Sequence, residues 1–207
     1  MRRFILSFLA FIPVLLLPVA AQEYNGLSPQ EAVKKMTVPP GFKVDLIAAE
    51  PDIVQPVAFT FDAKGRIWVV EGNTYPQRAG NPPPARAAGS GDLTKPDAAQ
   101  EKDILGGKDR VLIFEDKDGN GSFETRKIFI ENLNLVSGIE LGFGGVYIGA
   151  APYLIFVSDA DGDDKPDATP TILLDGFGWQ DTHETLNSFI WGPDGWLYGC
   201  HGVFTHS

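Results

Sequence analysis

The chain has 207 residues, of which 43% are hydrophobic, 21% charged and 11% aromatic, and this composition excludes wholesale disorder. Its formal net charge is −10, which argues against nucleic acid or anionic membrane as a partner and leaves carboxylates for divalent cations. Cys200 is the only cysteine, so an intrachain disulfide is excluded, and the sequence contains no Cys-x-x-Cys-His motif for a covalent c-type haem.

The first 21 residues are typical of a secretory signal peptide. Arg2 and Arg3 form a basic start, residues 4–19 form an apolar run, and the small residues that follow end at Ala21. A permanent membrane anchor is the alternative, but a run of 16 residues is shorter than the roughly 20 that span a bilayer. We therefore predict cleavage after Ala21 and export to the periplasm or cell envelope.

Residues 22–41 predict a linker that contains one short helix. Pro29–Lys35 is a helix candidate, because Ser28 and Glu31 have the spacing of a capping box and a proline occupies the first helical position. A Pro-Pro-Gly triplet ends it. Residues 42–48 (FKVDLIA) then alternate between apolar and polar side chains, which predicts a strand.

Two strand–turn–strand designs recur along the rest of the chain. One joins an apolar strand to an aromatic-rich strand through a tight glycine turn, and the other joins two strands through an acidic loop. Asp116 and Asp159 open equivalent acidic loops 43 residues apart, and that period is typical of a four-stranded β-propeller blade. A sandwich of unrelated hairpins is the alternative, but the same order of elements in successive units favours the propeller.

The predicted fold class is all-β, a partial β-propeller of about two and a half blades over residues 42–207. A closed propeller needs at least about four blades, so the chain is interpreted as a fragment that lacks its C-terminal blades. The strand at 42–48 would complete the outer edge of a missing last blade. Residues 73–109 are rich in Pro, Ala and Gly, which predicts a mobile insertion that buries little. The predicted strands are 57–62, 66–71, 110–116 and 126–131 in the first blade, 137–141, 145–149, 153–158 and 171–174 in the second, and 187–191 and 196–200 in the third.

The two acidic loops each place oxygen-bearing side chains at loop positions 1, 3, 5 and 9. Ca²⁺ takes six to eight oxygen ligands, a number that such loops approach with backbone carbonyls and water, so structural calcium sites are predicted. The second loop is favoured because all four of its positions are aspartate. A plain Asp/Gly turn is the alternative. The candidate ligands are Asp116, Asp118, Asn120 and Glu124 in the first loop, and Asp159, Asp161, Asp163 and Asp167 in the second.

A histidine lies on an insertion at the position where propeller active sites are found. The spacing of equivalent residues grows from 43 between the acidic loops to 51 between Tyr147 and Tyr198, and the extra residues fall just before the innermost strand of the third unit. Loops there open onto the central channel. His183 is therefore a candidate general base, with Asp181 or Glu184 to orient its ring. A surface or packing histidine is the alternative.

Two stretches of the sequence resemble a known family. They are PPGFKVDLIAAEPDIVQPVAFTFDAKGRIWVVEGNTYP and THETLNSFIWGPDGWLYGCHGVFTHS. Both closely resemble the N-terminal propeller of bacterial (PVC-type) membrane-bound dehydrogenases, which are similar in turn to soluble quinoprotein glucose/sorbosone dehydrogenases. The resemblance covers roughly residues 28–207.

The resemblance implies a site. In the quinoprotein relatives, a histidine a few residues before a Gly-Pro-Asp turn is the base while a sugar reduces pyrroloquinoline quinone. His183, nine residues before Gly192, matches that position, although Thr182 stands where the relatives carry an acidic residue. The basic residues that hold the quinone lie in later blades of the relatives. The larger family continues into helical repeats and a cytochrome c domain.

Two functions are therefore expected from the sequence. The first is an exported dehydrogenase-like propeller whose full-length form oxidises a sugar or other alcohol with an organic electron acceptor. The alternative is a non-catalytic, calcium-stabilised propeller that binds glycan or protein on a face formed by Trp179, Trp191 and Trp196. A quinone pocket needs Lys or Arg side chains near His183, whereas a binding module does not.

Overall fold

The computed structural model describes residues 26–84 and 92–206. The predicted signal peptide, residues 1–21, lies outside them. The chain divides into two units, Met1–Thr37 and Val38–Ser207. Within the described ranges, no helix has the length and the apolar character that crossing a bilayer requires.

Helix α1, Pro29–Lys35, is formed as predicted. The Ser28 hydroxyl accepts a hydrogen bond from the backbone N–H of Glu31 (3.3 Å), and the Glu31 carboxylate accepts one from the backbone N–H of Ser28 (3.0 Å). This reciprocal pair satisfies two of the N–H groups that have no partner inside the first turn of a helix.

The second unit is built from antiparallel β-sheets. The first sheet has the order β1-β2-β3-β4, the second β5-β6-β7-β8, and the third consists of β9 and β10, so strands that follow one another in sequence are neighbours in space. The strands are β1 Pro56–Phe61, β2 Ile67–Glu71, β3 Asp109–Glu115, β4 Thr125–Leu133, β5 Val136–Gly142, β6 Gly145–Ala150, β7 Tyr153–Ser158, β8 Thr171–Asp175, β9 Asn187–Trp191 and β10 Leu197–Cys200. The ten strands predicted from residue 57 onward are confirmed.

The sheets lie side by side with their first strands adjacent. Strand β1 contacts β5, and β5 contacts β9. The observed architecture is thus mostly β, with several antiparallel sheets, and none of the sheets in the described ranges is closed on itself.

The main core lies where the first and second sheets share buried apolar side chains. Val70 and Ile113 of the first sheet and Ile148 and Ile155 of the second are all fully buried and belong to one continuous cluster. Burying a side chain of this size contributes about 1.5–3 kcal/mol. This packing therefore fixes the first sheet against the second.

A buried ion network also joins these two sheets. Arg66, in the turn between β1 and β2, donates to both carboxylate oxygens of Asp164 (2.7 and 2.9 Å) in the β7–β8 loop. It also pairs with Asp62 (2.6 Å), and Lys127 of β4 pairs with Asp164 from the other side. Burial alone would raise the pKa of Asp164, but the hydrogen bonds from Lys127 and Arg66 outweigh it and hold that pKa below its usual value.

The structure forms no strand at 42–48 among the described residues, and the predicted pairing of this segment with a further blade stays a prediction. The segment forms no ladder with any described strand, and the side chain of Phe42 is 72% exposed. Alternating side chains give a segment two faces, but a strand also needs a neighbour to pair with its backbone N–H and C=O groups. The last residue of the segment, Ala48, and Ile53 beyond it contact a cluster formed by residues of β2 and β3.

The described part of residues 73–109 is mostly exposed, as predicted, but the sequence analysis missed a helix in it. The segment contains helix α2, Ala98–Ile104, and Ile104 is 1% exposed within the main core. Asp97 and Gln100 form a capping box at its start. The helix was not predicted because the Pro, Ala and Gly content of the preceding residues indicated a loop. The predicted mobility remains a prediction.

Candidate functional site

A cleft of about 570 Å³ opens where the first strands of the three sheets converge. Its walls are formed by β1, β5 and β9, and its mouth by the loop that precedes β9 together with Tyr75 from the segment after β2. Clefts of roughly 300–1,000 Å³ are of the size that binds small molecules. The lining residues are Val57, Ala58, Phe59, Tyr75, Leu135, Val136, Ser137, Gly138, Ile139, Thr182, His183, Thr185, Asn187, Ser188 and Phe189.

The predicted base, His183, lies at the mouth of this cleft. It belongs to a short 3₁₀ helix, Thr182–Glu184, whose N-cap is Asp181. The same carboxylate oxygen of Asp181 is 3.2 Å from the backbone N of His183 and 3.2 Å from its ring Nδ1. An imidazole whose Nδ1–H donates to a carboxylate presents an unprotonated Nε2. The side chain of His183 is 74% exposed, so this nitrogen is accessible to a ligand.

The second predicted partner, Glu184, is placed elsewhere. Its carboxylate accepts a hydrogen bond from the backbone N–H of Val203 (3.2 Å), in the segment that follows β10. Gly202 lies directly against Glu184, since a Cβ on Gly202 would approach the Glu184 carbonyl oxygen to 1.9 Å. The structure thus brings Asp181 to the imidazole and gives Glu184 a contact with the chain after β10.

Tyr75 is the member of the site that sequence reasoning missed. Its ring meets the His183 ring edge to face, with centroids 5.6 Å apart and planes at 90°. The preceding residue, Thr74, donates its backbone N–H to the carboxylate of Asp109, whose other oxygen accepts from the N–H of Val136 (2.7 Å). Burial raises the pKa of Asp109, which is 0% exposed. This carboxyl group ties the Tyr75 segment to the start of β5.

The residues that line the cleft carry no Lys, Arg, Asp or Glu. Arg78, three residues after Tyr75, pairs with Asp103 and lies over the ring of Trp179 (5.8 Å to the centroid), outside the cleft. A quinone that carries carboxylates needs cations, and the lining residues do not supply them. The described lining thus supplies no cation for pyrroloquinoline quinone, and this cofactor stays a prediction of the resemblance.

The three tryptophans expected to form a binding face do not line the cleft. The indole N–H of Trp191 donates to the carbonyl of Leu141 (2.7 Å), and its ring packs edge to face on Tyr147. Trp179 lies under Arg78, whereas Trp196 is 72% exposed. Trp191 is thus a packing residue.

The second acidic loop brings three of its four predicted ligands together. Carboxylate oxygens of Asp159, Asp161 and Asp167 lie within 4.8 Å of one another. One oxygen of Asp159 is buried and has no hydrogen-bond partner among the described residues, and burial raises the pKa of this carboxyl. The fourth, Asp163, instead pairs with the exposed Lys165 (2.8 Å).

The first acidic loop also brings three carboxylates together, but the carboxylate of its first aspartate already accepts hydrogen bonds from the backbone of the loop. Asp116 accepts backbone hydrogen bonds from Gly119 (2.8 Å), Asn120 (3.2 Å) and Gly121 (2.8 Å). The bond from Gly121 above all lowers the pKa of Asp116. These contacts are those of an Asp/Gly turn that closes on itself. Asp118 and Glu124 complete the cluster, and the Asn120 amide donates to Asp118.

Comparison with known proteins gives a family and no function. A family model described as "Domain of unknown function (DUF7133)" matches residues 28–207. A search of curated proteins found no match, and a search of solved structures found none either.

Proposed function

The chain belongs to the DUF7133 family, and we propose that it is part of a β-propeller dehydrogenase that oxidises a sugar or other alcohol. The observation that carries the proposal is the Asp181–His183 pair at the mouth of the cleft. The lining of this cleft contains no Lys, Arg, Asp or Glu. Such a cleft suits a neutral substrate that has a hydroxyl group to deprotonate.

The sheet arrangement supports the propeller. Two consecutive four-stranded antiparallel sheets place their first strands side by side, and a third sheet continues the series. In a propeller, the innermost strands of the blades surround the central channel. The cleft lies between β1, β5 and β9, which are the innermost strands under this proposal.

The proposed chemistry needs a base and a separate oxidant. Asp181 holds Nδ1 of His183, so that Nε2 takes the proton of a substrate hydroxyl. The carbon that bears this hydroxyl gives up its hydrogen with two electrons as hydride to an organic two-electron acceptor, and a carbonyl product forms. We assign no residue to the acceptor, because the described lining supplies no cation for a carboxylated quinone.

His183→Ala tests the proposal. In the intact natural protein, we expect turnover of the alcohol with an artificial electron acceptor to fall by about 10²–10⁴, the usual contribution of a positioned acid–base group. The thermal midpoint should stay unchanged, since the side chain is 74% exposed. His201→Ala is the matched control: His201 packs on Phe177 outside the cleft, so its loss should alter stability and not turnover. Full turnover by folded His183→Ala would contradict the mechanism.

A calcium-stabilised, non-catalytic binding propeller is the second candidate. The unpartnered, buried oxygen of Asp159 favours it, because a cation at Asp159, Asp161 and Asp167 would satisfy that oxygen. We propose calcium at the second acidic loop only, since the backbone already occupies Asp116 of the first. We also propose export to the periplasm or cell envelope, on the pattern of residues 1–21.

A further inference from the structure

One of the residues that line the cleft has a buried hydroxyl group without a partner. Thr185 lines the cleft and is 0% exposed, and its Oγ1 makes no hydrogen bond to any described residue. Nearly all buried polar groups in folded proteins are hydrogen-bonded, because taking such a group from water without replacing its bond is costly. Thr185 therefore needs a partner that the described chain does not provide.

The backbone directly after Thr185 is tightly packed against the second sheet. Leu186 accepts a hydrogen bond from the Ser137 hydroxyl through its carbonyl (2.7 Å). A Cβ on Gly149 would come within 2.2 Å of that carbonyl, and one on Gly138 within 2.9 Å of the Asn187 Cα. Only glycine allows so close an approach. The chain from Leu186 to Asn187 is thus fixed against β5 and β6, with Thr185 directly before it.

The other lining residues define the chemistry of a ligand. Phe59, Phe189 and Tyr75 offer aromatic rings, whereas Ser188 and Asn187 offer polar groups, and none of the lining residues is Lys or Arg. A sulfate, phosphate or carboxylate group would find no cation to pair with in this lining. A neutral molecule with hydroxyl groups on one side and C–H groups on the other matches both sets of side chains.

We infer that Thr185 is a specificity-determining residue, whose hydroxyl forms a hydrogen bond to a hydroxyl of a neutral sugar or polyol in this cleft. The cleft then selects such ligands over the corresponding uronic acids and sugar phosphates. This inference rests on the proposed function for the identity of the site, but it concerns binding and requires no turnover.

Thr185→Val tests the inference, with Thr185→Ser as the matched variant that keeps the hydroxyl. Binding of neutral monosaccharides and alditols to the intact protein is measured by saturation-transfer NMR and calorimetry, beside their uronic acids and 6-phosphates. We expect the valine variant to bind the best neutral probe about tenfold more weakly or worse, and the serine variant to bind it within a few-fold of the natural protein.

A second readout separates ligand recognition from a structural role. Without ligand, Thr185→Val should melt at the same temperature or higher, because valine has the same shape and removes an unsatisfied hydroxyl. A lower melting temperature of the free valine variant would overturn the inference, since the hydroxyl would then have a partner in the folded protein. Equal affinity of both variants for the probe would overturn it too. The same holds if an acid or phosphate binds as tightly as its neutral parent, or if no probe binds at all.

The outcome is distinguishable from a failure of the proposed function. If folded His183→Ala keeps full turnover while Thr185→Val weakens binding, the oxidation mechanism fails and the recognition site stands. If His183→Ala abolishes turnover while Thr185→Val binds the substrate as the natural protein does, the mechanism stands and the inference about Thr185 fails.

Discussion

At the scale of single residues, the sequence predicts contacts between residues that are close along the chain. It does not predict contacts between residues that are far apart along the chain. Asp181 and His183 are two residues apart, so a cap at the start of a helical turn brings the carboxylate to the ring. Tyr75 precedes His183 by 108 residues, and only the packing of the sheets brings the two rings together. Glu184 was an equal candidate by spacing, but its carboxylate binds the backbone of Val203.

The second acidic loop yields a prediction about calcium. Asp161→Ala should remove a calcium-binding event from the intact protein, because its carboxylate lies within 4.8 Å of those of Asp159 and Asp167. Asp163→Ala is the neighbouring control and should keep that event, since Asp163 pairs with Lys165 instead. Titration calorimetry measures both. Loss of binding in both variants would make Asp163 a ligand as well and contradict its role as a control. No binding in the natural protein would leave the loop as an Asp/Gly turn.

At the scale of the elements, alternating side chains and turn residues in the sequence predict the strands. They do not predict whether a segment finds a neighbouring strand, and a helix start within a loop-like segment is easily missed. Strands β1 to β10 follow the two repeated designs closely. The segment 42–48 has the same alternation but no neighbouring described strand, so it stays irregular. Helix α2 begins at a capping box that follows a segment dominated by proline, alanine and glycine, and overall composition concealed it.

The ion network between the first and second sheets should be a major source of their stability. Asp164→Ala leaves the guanidinium of Arg66 buried with Asp62 as its one remaining ion-pair partner among the described residues, and we expect a loss of about 3 kcal/mol in the free energy of unfolding. Asp163→Ala, the adjacent and exposed control, should change it by less than about 0.5 kcal/mol. Denaturant unfolding without calcium measures both variants.

The same network predicts a direction with pH. Because the folded-state pKa of Asp164 lies below its ordinary value, the native state holds fewer protons than the unfolded state when the pH lies near that value. The stabilising contribution is therefore complete at neutral pH and is lost as the pH falls below the ordinary range of an aspartate. The difference between the natural protein and Asp164→Ala should shrink accordingly in acid. A difference that stays constant down to the acid limit would show that the pair does not stabilise the fold by its charge.

At the scale of the whole molecule, the candidate site exists because the first strands of the three sheets, β1, β5 and β9, lie around one cleft. Repeats and periods predict the sheets, but whether β1, β5 and β9 surround one cleft depends on how the sheets pack, through the shared core and the network at Asp164. Large apolar side chains are exposed on these strands, among them Phe61 on β1 and Ile190 on β9.

The central claim is that a neutral sugar or polyol binds in this cleft beside His183, and histidine NMR tests it most directly. The chain has three histidines, and His201 and His206 do not line the cleft. In the intact protein, with the His183 signal assigned from a His183→Gln variant, titration with the best-binding neutral probe should shift the ring C–H signal of His183 saturably and leave that of His201 in place. A His183 signal that does not move while the probe binds, or equal shifts at His183 and His201, would contradict the account.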